Sequence, residues 1–387
     1  MRDTRLIDRI GTIPGTYLVR LSLIPLVRTI ADRYWCSVAA LVLFVVFWSF
    51  PSYDVALVLH EVDANWDALF LQAAEPFTDH TQVHDARSHG AKLGFRMVPA
   101  LLLRLLSIDT VPGALVLQFV LLVLFQALLL LVLRDVLGNK RWAFAWAFAF
   151  SLILCGHVYT VDYGGLFDTL AFDLLLVAIL LRRRAWMVIP LLLAYFTDER
   201  ALIASPAVVL LGLYERDEHA SVRTMLRGCR SGVARWTLIS WGCYFLVRSC
   251  LAHFAGLVTV PVDVLHFMRQ NLVRWPYALY IGIEGFVVPF VIIVLHFLRK
   301  EWRAFALAMV LVFFILNIVA MSVHDINRSM AYVLPLLLLI VRIAHPRFDR
   351  TRAVHVLGWV ILINLLYDDA WPLPAQLYRM IHLTGTL

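Results

Sequence analysis

Apolar runs long enough to cross a bilayer follow one another through almost the whole chain, and this limits the fold more than any other feature. A spanning helix needs about 20 mainly apolar residues, with roughly 17–25 as the working range. About eleven segments meet or approach that criterion, centred near 36–53, 112–134, 142–159, 165–182, 185–198, 200–214, 236–257, 277–298, 303–323, 329–344 and 353–368. Hydrophobic residues make up 61% of the 387, and charged ones 16%. A soluble domain averages roughly 45–50% apolar and 25% charged. A soluble enzyme, a disordered scaffold and a secreted disulfide framework are therefore excluded. The expected fold class is all-α, a polytopic membrane protein. No repeat of fixed period and no Ser/Gly-rich linker divides the chain, so 1–387 reads as one transmembrane domain.

Orientation follows from the arginines. Of the 34 basic residues only Lys92, Lys140 and Lys300 are lysine, and the rest gather in short loops between apolar runs. Under the positive-inside rule such loops are cytoplasmic. With the N-terminus inside, the inner loops together with residues 1–35, a cytoplasmic lead-in near the membrane surface, hold 24 of the 34. The net charge of +7 is thus a topology signal and not a nucleic-acid footprint. The segment 97–106, Met97 to Leu106, is apolar but only about ten residues long and is interrupted by Arg104. If it crossed, every later arginine cluster would face outward, so it reads as a juxtamembrane helix. Residues 54–111 then form one long first extracytoplasmic loop. Two short helices hairpin within 185–214, around Phe196-Thr197-Asp198-Glu199-Arg200. The five cysteines show neither a CxxC pair nor zinc-ligand spacing, and the N-terminus lacks a signal-peptide pattern. Arginine-rich, lysine-poor usage points to a bacterial source, and so to a multi-pass protein of the inner membrane.

Ionisable side chains near membrane depth are costly and mark functional sites by default. Four groups fall on the extracytoplasmic side of this topology: the acidic and histidine residues of the first loop; Asp162 with Asp168; Asp198, Glu199 and Arg200; and His324, Asp325 and Arg328. One polar cavity open to that face accounts for all four. Asp63 and Asp67 stand four apart, so a helix would put both carboxylates on one face, where mutual repulsion suits one of them to general-base work; either could instead cap a juxtamembrane helix. His80 and His84 share that spacing and could contribute two ligands to a metal, although no third or fourth ligand is evident. Lys92, Arg96 and Arg104 defy the positive-inside trend where the loop returns to the membrane. An anionic phosphate or pyrophosphate partner would explain them, as would snorkelling to lipid headgroups. Asp325 and Arg328 lie one helical turn apart, placed either for binding or for an internal ion pair. Arg248 lies within an apolar helix and must face the protein interior or an interface.

This arrangement resembles the GT-C superfamily of membrane glycosyltransferases. The likeness rests on one helix after a cytoplasmic N-terminus, a long first outer loop with Asp63 and Asp67 near its start, short juxtamembrane helices in that loop, and a many-helix remainder. Pro76-Phe77, Phe95-Arg96-Met97-Val98-Pro99 and the late Asp325-Ile326-Asn327-Arg328 before Pro335 also look like elements of small members. The paired acids of the family are often adjacent, whereas here they are four apart. The resemblance implies a polyprenyl-phosphate-linked sugar donor and a glycan or lipid acceptor, with membrane lipids around the helices. It implies an inverting transfer with Asp67, or else Asp63, as base. Lys92, Arg96, Arg200 and Arg328 would hold the donor phosphate, and a divalent metal is admitted. The other classes are a transporter or flippase for a lipid-linked sugar or anionic solute, an O-antigen polymerase or ligase, and a non-catalytic assembly partner. A transporter is expected to show broken helices at mid-depth, and no such symmetry is evident in the sequence.

Overall fold

The computed structural model describes residues 25–49, 65–78, 94–160, 162–216, 232–257, 264–298, 303–323, 325–347 and 350–366. Every regular element among them is helical. In chain order these are α1 (Pro25–Asp32), α2 (Tyr34–Trp48), α3 (Asn65–Ala74), α4 (Met97–Leu105), α5 (Val111–Leu137), α6 (Lys140–Ser151), α7 (Asp168–Leu180), α8 (Val188–Thr197) and α9 (Arg200–Arg216). There follow α10 (Gly232–Phe254), α11 (Val264–Leu272), α12 (Trp275–Ile283), α13 (Val287–Leu298), α14 (Arg303–Met321), α15 (Ile326–Met330), α16 (Leu334–Arg347) and α17 (Arg350–Leu366).

Three stretches are long and apolar enough to cross a membrane by length and composition: α5, α14 and Ile326–His345. Shorter apolar helices cover Tyr34–Trp48, Ala185–Thr197, Glu284–Leu298 and Thr351–Leu366. These helices make the chain a membrane protein, and the expected count of eleven crossings goes beyond them. The reason is visible in the helices: several expected spans are interrupted. The 277–298 run breaks at Glu284, which has φ +39°, between α12 and a 3-10 turn at Glu284–Phe286. The 142–159 run is helical only to Ser151 and continues as 3-10 turns to Gly164. The 329–344 run is interrupted by a 3-10 turn at Ala331–Val333.

Such backbone is tolerated at membrane depth only where protein covers it and satisfies its polar groups. Both conditions hold. Residues 152–159 are all buried, and the long helix α5 serves them with two glutamines. Gln126 donates to the Gly156 carbonyl at 3.0 Å and Gln118 to the Asp162 carbonyl at 2.7 Å. At Gly156 a Cβ would lie 1.8 Å from the Phe150 carbonyl oxygen, so only glycine permits the turn. Asn364 of α17, fully buried, donates to the Ala149 carbonyl at 3.1 Å and accepts the Gly285 N–H at 2.7 Å. One side chain thus serves two helix breaks.

The core runs through α2, α5 to α10, α12 to α14, α16 and α17 as one continuous apolar cluster, and Ile326 and Met330 of α15 form a small separate core with Ala278 and Ala320. The expected hairpin at 185–214 is present as α8 and α9. The expected juxtamembrane helix is α4, nine residues and so about 14 Å, too short to cross. It packs on α3, whose Trp66, Leu69 and Ala73 form a second small core with Ala100, Leu103, Val111 and Leu115. The other side of α4 leaves Leu101 and Leu105 exposed, an apolar face for lipid.

The helix ends sort into two sets. At one end Arg182, after α7, donates to Glu215 on α9 (2.7 Å) and Asp135 on α5 (2.6 Å), which brings together three helix C-termini. At the other end lie the start of α7, the start of α9 and α15.

Candidate functional site

The polar residues of that second end converge on Asp168, the first residue of α7. Its side chain is fully buried and engages two arginines from far along the chain. Oδ1 accepts Arg200 Nη2 at 2.9 Å and the Tyr332 hydroxyl at 3.1 Å. Oδ2 accepts Arg328 Nε at 2.6 Å, and Arg328 Nη2 adds an ion pair to the same oxygen. Arg200 in turn forks onto Asp198, with Nε to Oδ1 at 2.8 Å and Nη2 to Oδ2 at 2.6 Å. Its Nη1 reaches Ser329 Oγ at 2.9 Å, and its guanidinium carbon lies 4.9 Å from the centre of the Tyr332 ring. Planar bidentate pairing of this kind suits arginine and not lysine.

Local capping explains why these acids sit where they do. Asp198 accepts the backbone N–H of Arg200 at 2.9 Å and so caps α9. Asp325 is the N-cap of α15 and accepts Arg328 N–H at 3.3 Å and Arg328 Nη1 at 3.2 Å. Asp162 accepts the N–H groups of Asp168 and Thr169, both at 3.0 Å, and the Thr169 hydroxyl at 2.7 Å, capping α7 from outside the helix. Carboxylates are favoured at helix N-termini, where unpaired N–H groups and the positive dipole end coincide. Burial, then the Asp168 carboxylate, push the Asp162 carboxyl up to about 7, against the pull of Thr169 and Arg328.

The first loop joins through Arg96. Its Nη2 lies 3.0 Å from Asp198 Oδ2 and its Nε 4.0 Å from Glu199 Oε2. Arg96 is 9% exposed and its Nε has no hydrogen-bond partner among the described residues, whereas the Glu199 side chain is 49% exposed. The cluster therefore has a buried interior, Asp168–Arg200–Arg328, and a rim, Arg96–Glu199. Arg248, on α10, borders the rim: it donates to the Tyr244 hydroxyl at 2.5 Å and stacks 4.2 Å over the Phe95 ring.

Seven expected site residues are thus brought together: Arg96, Asp162, Asp198, Glu199, Arg200, Asp325 and Arg328. Asp67 is exposed on α3, and Gln72 of the same helix donates to the Gly94 carbonyl at 3.1 Å, two residues before Arg96. Asp63, His80, His84 and Lys92 lie outside the described residues. No group of three or more His, Cys, Asp or Glu able to hold a metal occurs among the described residues. Arg200, a candidate for a donor phosphate, pairs with Asp168 and Asp198, and Arg328, a candidate for that phosphate or for an internal ion pair, pairs with Asp168 and Asp325. The hub role of Asp168 and the contributions of Tyr332 and Ser329 are not legible in the sequence, because Asp168 meets Arg200 from 32 positions away and Arg328 and Tyr332 from 160 and 164, and Ser329 meets Arg200 from 129. Comparison with family models, curated proteins and solved structures finds no match.

Proposed function

We propose that the chain is a GT-C-like glycosyltransferase that moves a sugar from a polyprenyl-phosphate donor to an envelope glycan or lipid acceptor at the extracytoplasmic face of a bacterial inner membrane. The orientation has the N-terminus cytoplasmic and about eleven crossings, several of them by broken helices. One observation carries the reading. Helix α3, which bears Asp67, is tied through Gln72 to the Gly94 carbonyl, and Arg96 two residues on reaches the turn of α8 and α9, so that the first loop and the arginine–carboxylate cluster join at Arg96.

In the proposed reaction the acceptor hydroxyl oxygen bonds to the anomeric carbon as the bond from that carbon to the phosphate oxygen breaks. Polyprenyl phosphate leaves with the electron pair, and Asp67, or else Asp63, takes the hydroxyl proton. Arg96 and Lys92 hold the leaving phosphate and stabilise its charge. Arg200 and Arg328 act behind them, fixing Asp198 and hence Arg96.

A second reading, transport of a lipid-linked sugar or anionic solute, is favoured by a different observation. The breaks at 154–156, Glu284 and 331–333 adjoin one another within the bundle, and Glu284 is 2% exposed. Broken helices around a buried charge are a transporter feature. One experiment separates the two. A deletion strain is complemented with wild type, Asp67→Asn, Asp63→Asn, Glu199→Gln or Glu284→Gln, and envelope glycolipids are followed by mass spectrometry with immunoblots of the membrane fraction. The transferase reading expects one sugar increment to fall at least about 100-fold in Asp67→Asn or Asp63→Asn, at normal protein level. Full restoration by both, with loss in Glu284→Gln, overturns it in favour of transport.

A further inference from the structure

At the opposite end of the bundle, several buried guanidinium nitrogens have no acceptor among the described residues. Arg134, in the last turn of α5, is half-buried against α2, with its guanidinium carbon 4.9 Å from the centre of the Tyr34 ring. Its Nε and Nη2 are both buried and have no hydrogen-bond partner among the described residues. On another side of the same helix end, Arg342 gives Nη1 to the Val136 carbonyl at 2.7 Å, while its Nε is likewise buried without a partner among the described residues. Buried guanidinium nitrogens without acceptors in the protein are rare, and service to a bound anion is one of the standard explanations.

The surroundings add charge of the same sign. Arg141, at the start of α6, pairs with Asp32 at 3.0 Å, and Arg28 and Lys140 also act on that carboxylate. Asp135, the other nearby acid, is engaged by Arg182 at 2.6 Å. Among the described residues, Arg28, Lys140 and Arg141 therefore share the one carboxylate of Asp32, and Arg134 adds a fourth cation at this end. The aromatic signature of a membrane interface is present too: Trp35 is 71% exposed and packs edge-on to Tyr34 at 5.0 Å. Helix α1 is amphipathic, with Ala31 buried and Arg28 and Asp32 exposed, as expected of a helix lying along the surface.

We propose that the last turn of α5 and the α1–α2 corner bind the phosphate of an anionic phospholipid headgroup. Arg134 supplies two directed N–H donors, Lys140 and the other cations supply charge, and Trp35 anchors the corner at headgroup depth. A basic pocket between membrane helices fits this ligand class. By the positive-inside rule the leaflet is the cytoplasmic one. The site lies away from the Asp168 cluster and does not depend on sugar transfer.

The test uses the full chain in nanodiscs of neutral phosphatidylcholine, with and without anionic phosphatidylglycerol. Thermal unfolding is read by tryptophan fluorescence, and co-purified lipid by native mass spectrometry. The wild type is expected to unfold several degrees higher with phosphatidylglycerol and to retain it. Arg134→Gln should weaken retention about tenfold and remove most of the shift, and Arg134→Lys, which keeps charge but not the fork, should fall between. Arg184→Gln, an exposed arginine at the same end, should behave as wild type. Equal loss in Arg184→Gln and Arg134→Gln means diffuse surface charge only and overturns the site. So does an identical midpoint in the two lipids, or an equal shift produced by inorganic phosphate in neutral nanodiscs. If Arg134→Gln does not fold, the comparison of Arg134→Lys with wild type decides.

Discussion

At the scale of the residue, Asp168 illustrates what burial does to charge. A carboxylate between two guanidinium groups is stable only while all partners are present; removing one partner of a buried pair costs about 3–5 kcal/mol, because the remaining charge is left uncompensated. Asp168→Asn leaves Arg200 with Asp198 but strips Arg328 of its principal anion, since Asp325 holds it by a single 3.2 Å contact. The expected outcome is a thermal midpoint lowered by several degrees in nanodiscs, whereas Glu199→Gln, altering a half-exposed group, changes stability by no more than about 0.5 kcal/mol. An Asp168→Asn midpoint equal to wild type would show that the arginines find other partners. The candidates at this scale were partly legible. Asp162, Asp198, Arg200, Asp325 and Arg328 could be assigned to one side by following arginine loops from helix to helix. Their mutual pairing could not, because Asp168 meets Arg328 across 160 positions of chain and nothing local encodes that contact. The same holds for Tyr332, an ordinary aromatic in an apolar run until its hydroxyl is seen on Asp168.

At the scale of the element, the lesson concerns broken helices. Hydropathy measures apolar length, and 142–159 and 277–298 pass that measure, but hydropathy is blind to whether the backbone stays helical. Gly156 and Gly285 inside apolar runs were the readable signals, since an interior glycine often marks close backbone approach. The need for them follows from neighbours remote in sequence: a Cβ at residue 285 would lie 2.5 Å from the Val360 carbonyl oxygen. Gly156→Ala is therefore expected to destabilise by a few kcal/mol or to leave the chain in degraded, unfolded form. Gly242→Ala, whose added methyl group would meet open space, should be tolerated. Protease resistance of the detergent-extracted variants distinguishes the two; equal resistance would mean that the 154–164 segment can relax into helix. By contrast α5 was readable almost end to end, because its stop is local: Gly138 at φ +65° ends it, and the Asn139 side chain accepts the N–H groups of Arg141 and Trp142 to start α6.

At the scale of the molecule, the two ends of the bundle carry opposite chemistry. Arg182 ties together the C-terminal ends of α5, α7 and α9 where the arginines concentrate, and the capped N-termini of α7, α9 and α15 meet at the acid-rich end. In the proposed orientation the first end is the cytoplasmic one. An export-dependent phosphatase fused within the Gly138–Asn139 turn should accordingly be inactive, and the same reporter inserted at Ser107 should be active. The reverse pattern would invert the orientation and move the candidate site to the cytoplasm, where polyprenyl-phosphate sugar transfer of the proposed kind could not operate.

The double service of Asn364 has a consequence for the order in which the chain is made. Ala149 and Gly285 are synthesised well before residue 364, yet that single late side chain accepts the N–H of Gly285 and adds a second donor to the Ala149 carbonyl beside the Leu152 N–H. Until it emerges from the ribosome, both breaks lack one of their partners, although Gln118 and Gln126 of α5 are already made and can hold the first. The 142–159 run should therefore be freer to extend its helix beyond Ser151 until the last segment docks. Maturation is then a remodelling step that starts from the far end of the message, and a chain halted before residue 364 should retain more helix in this region than the finished protein.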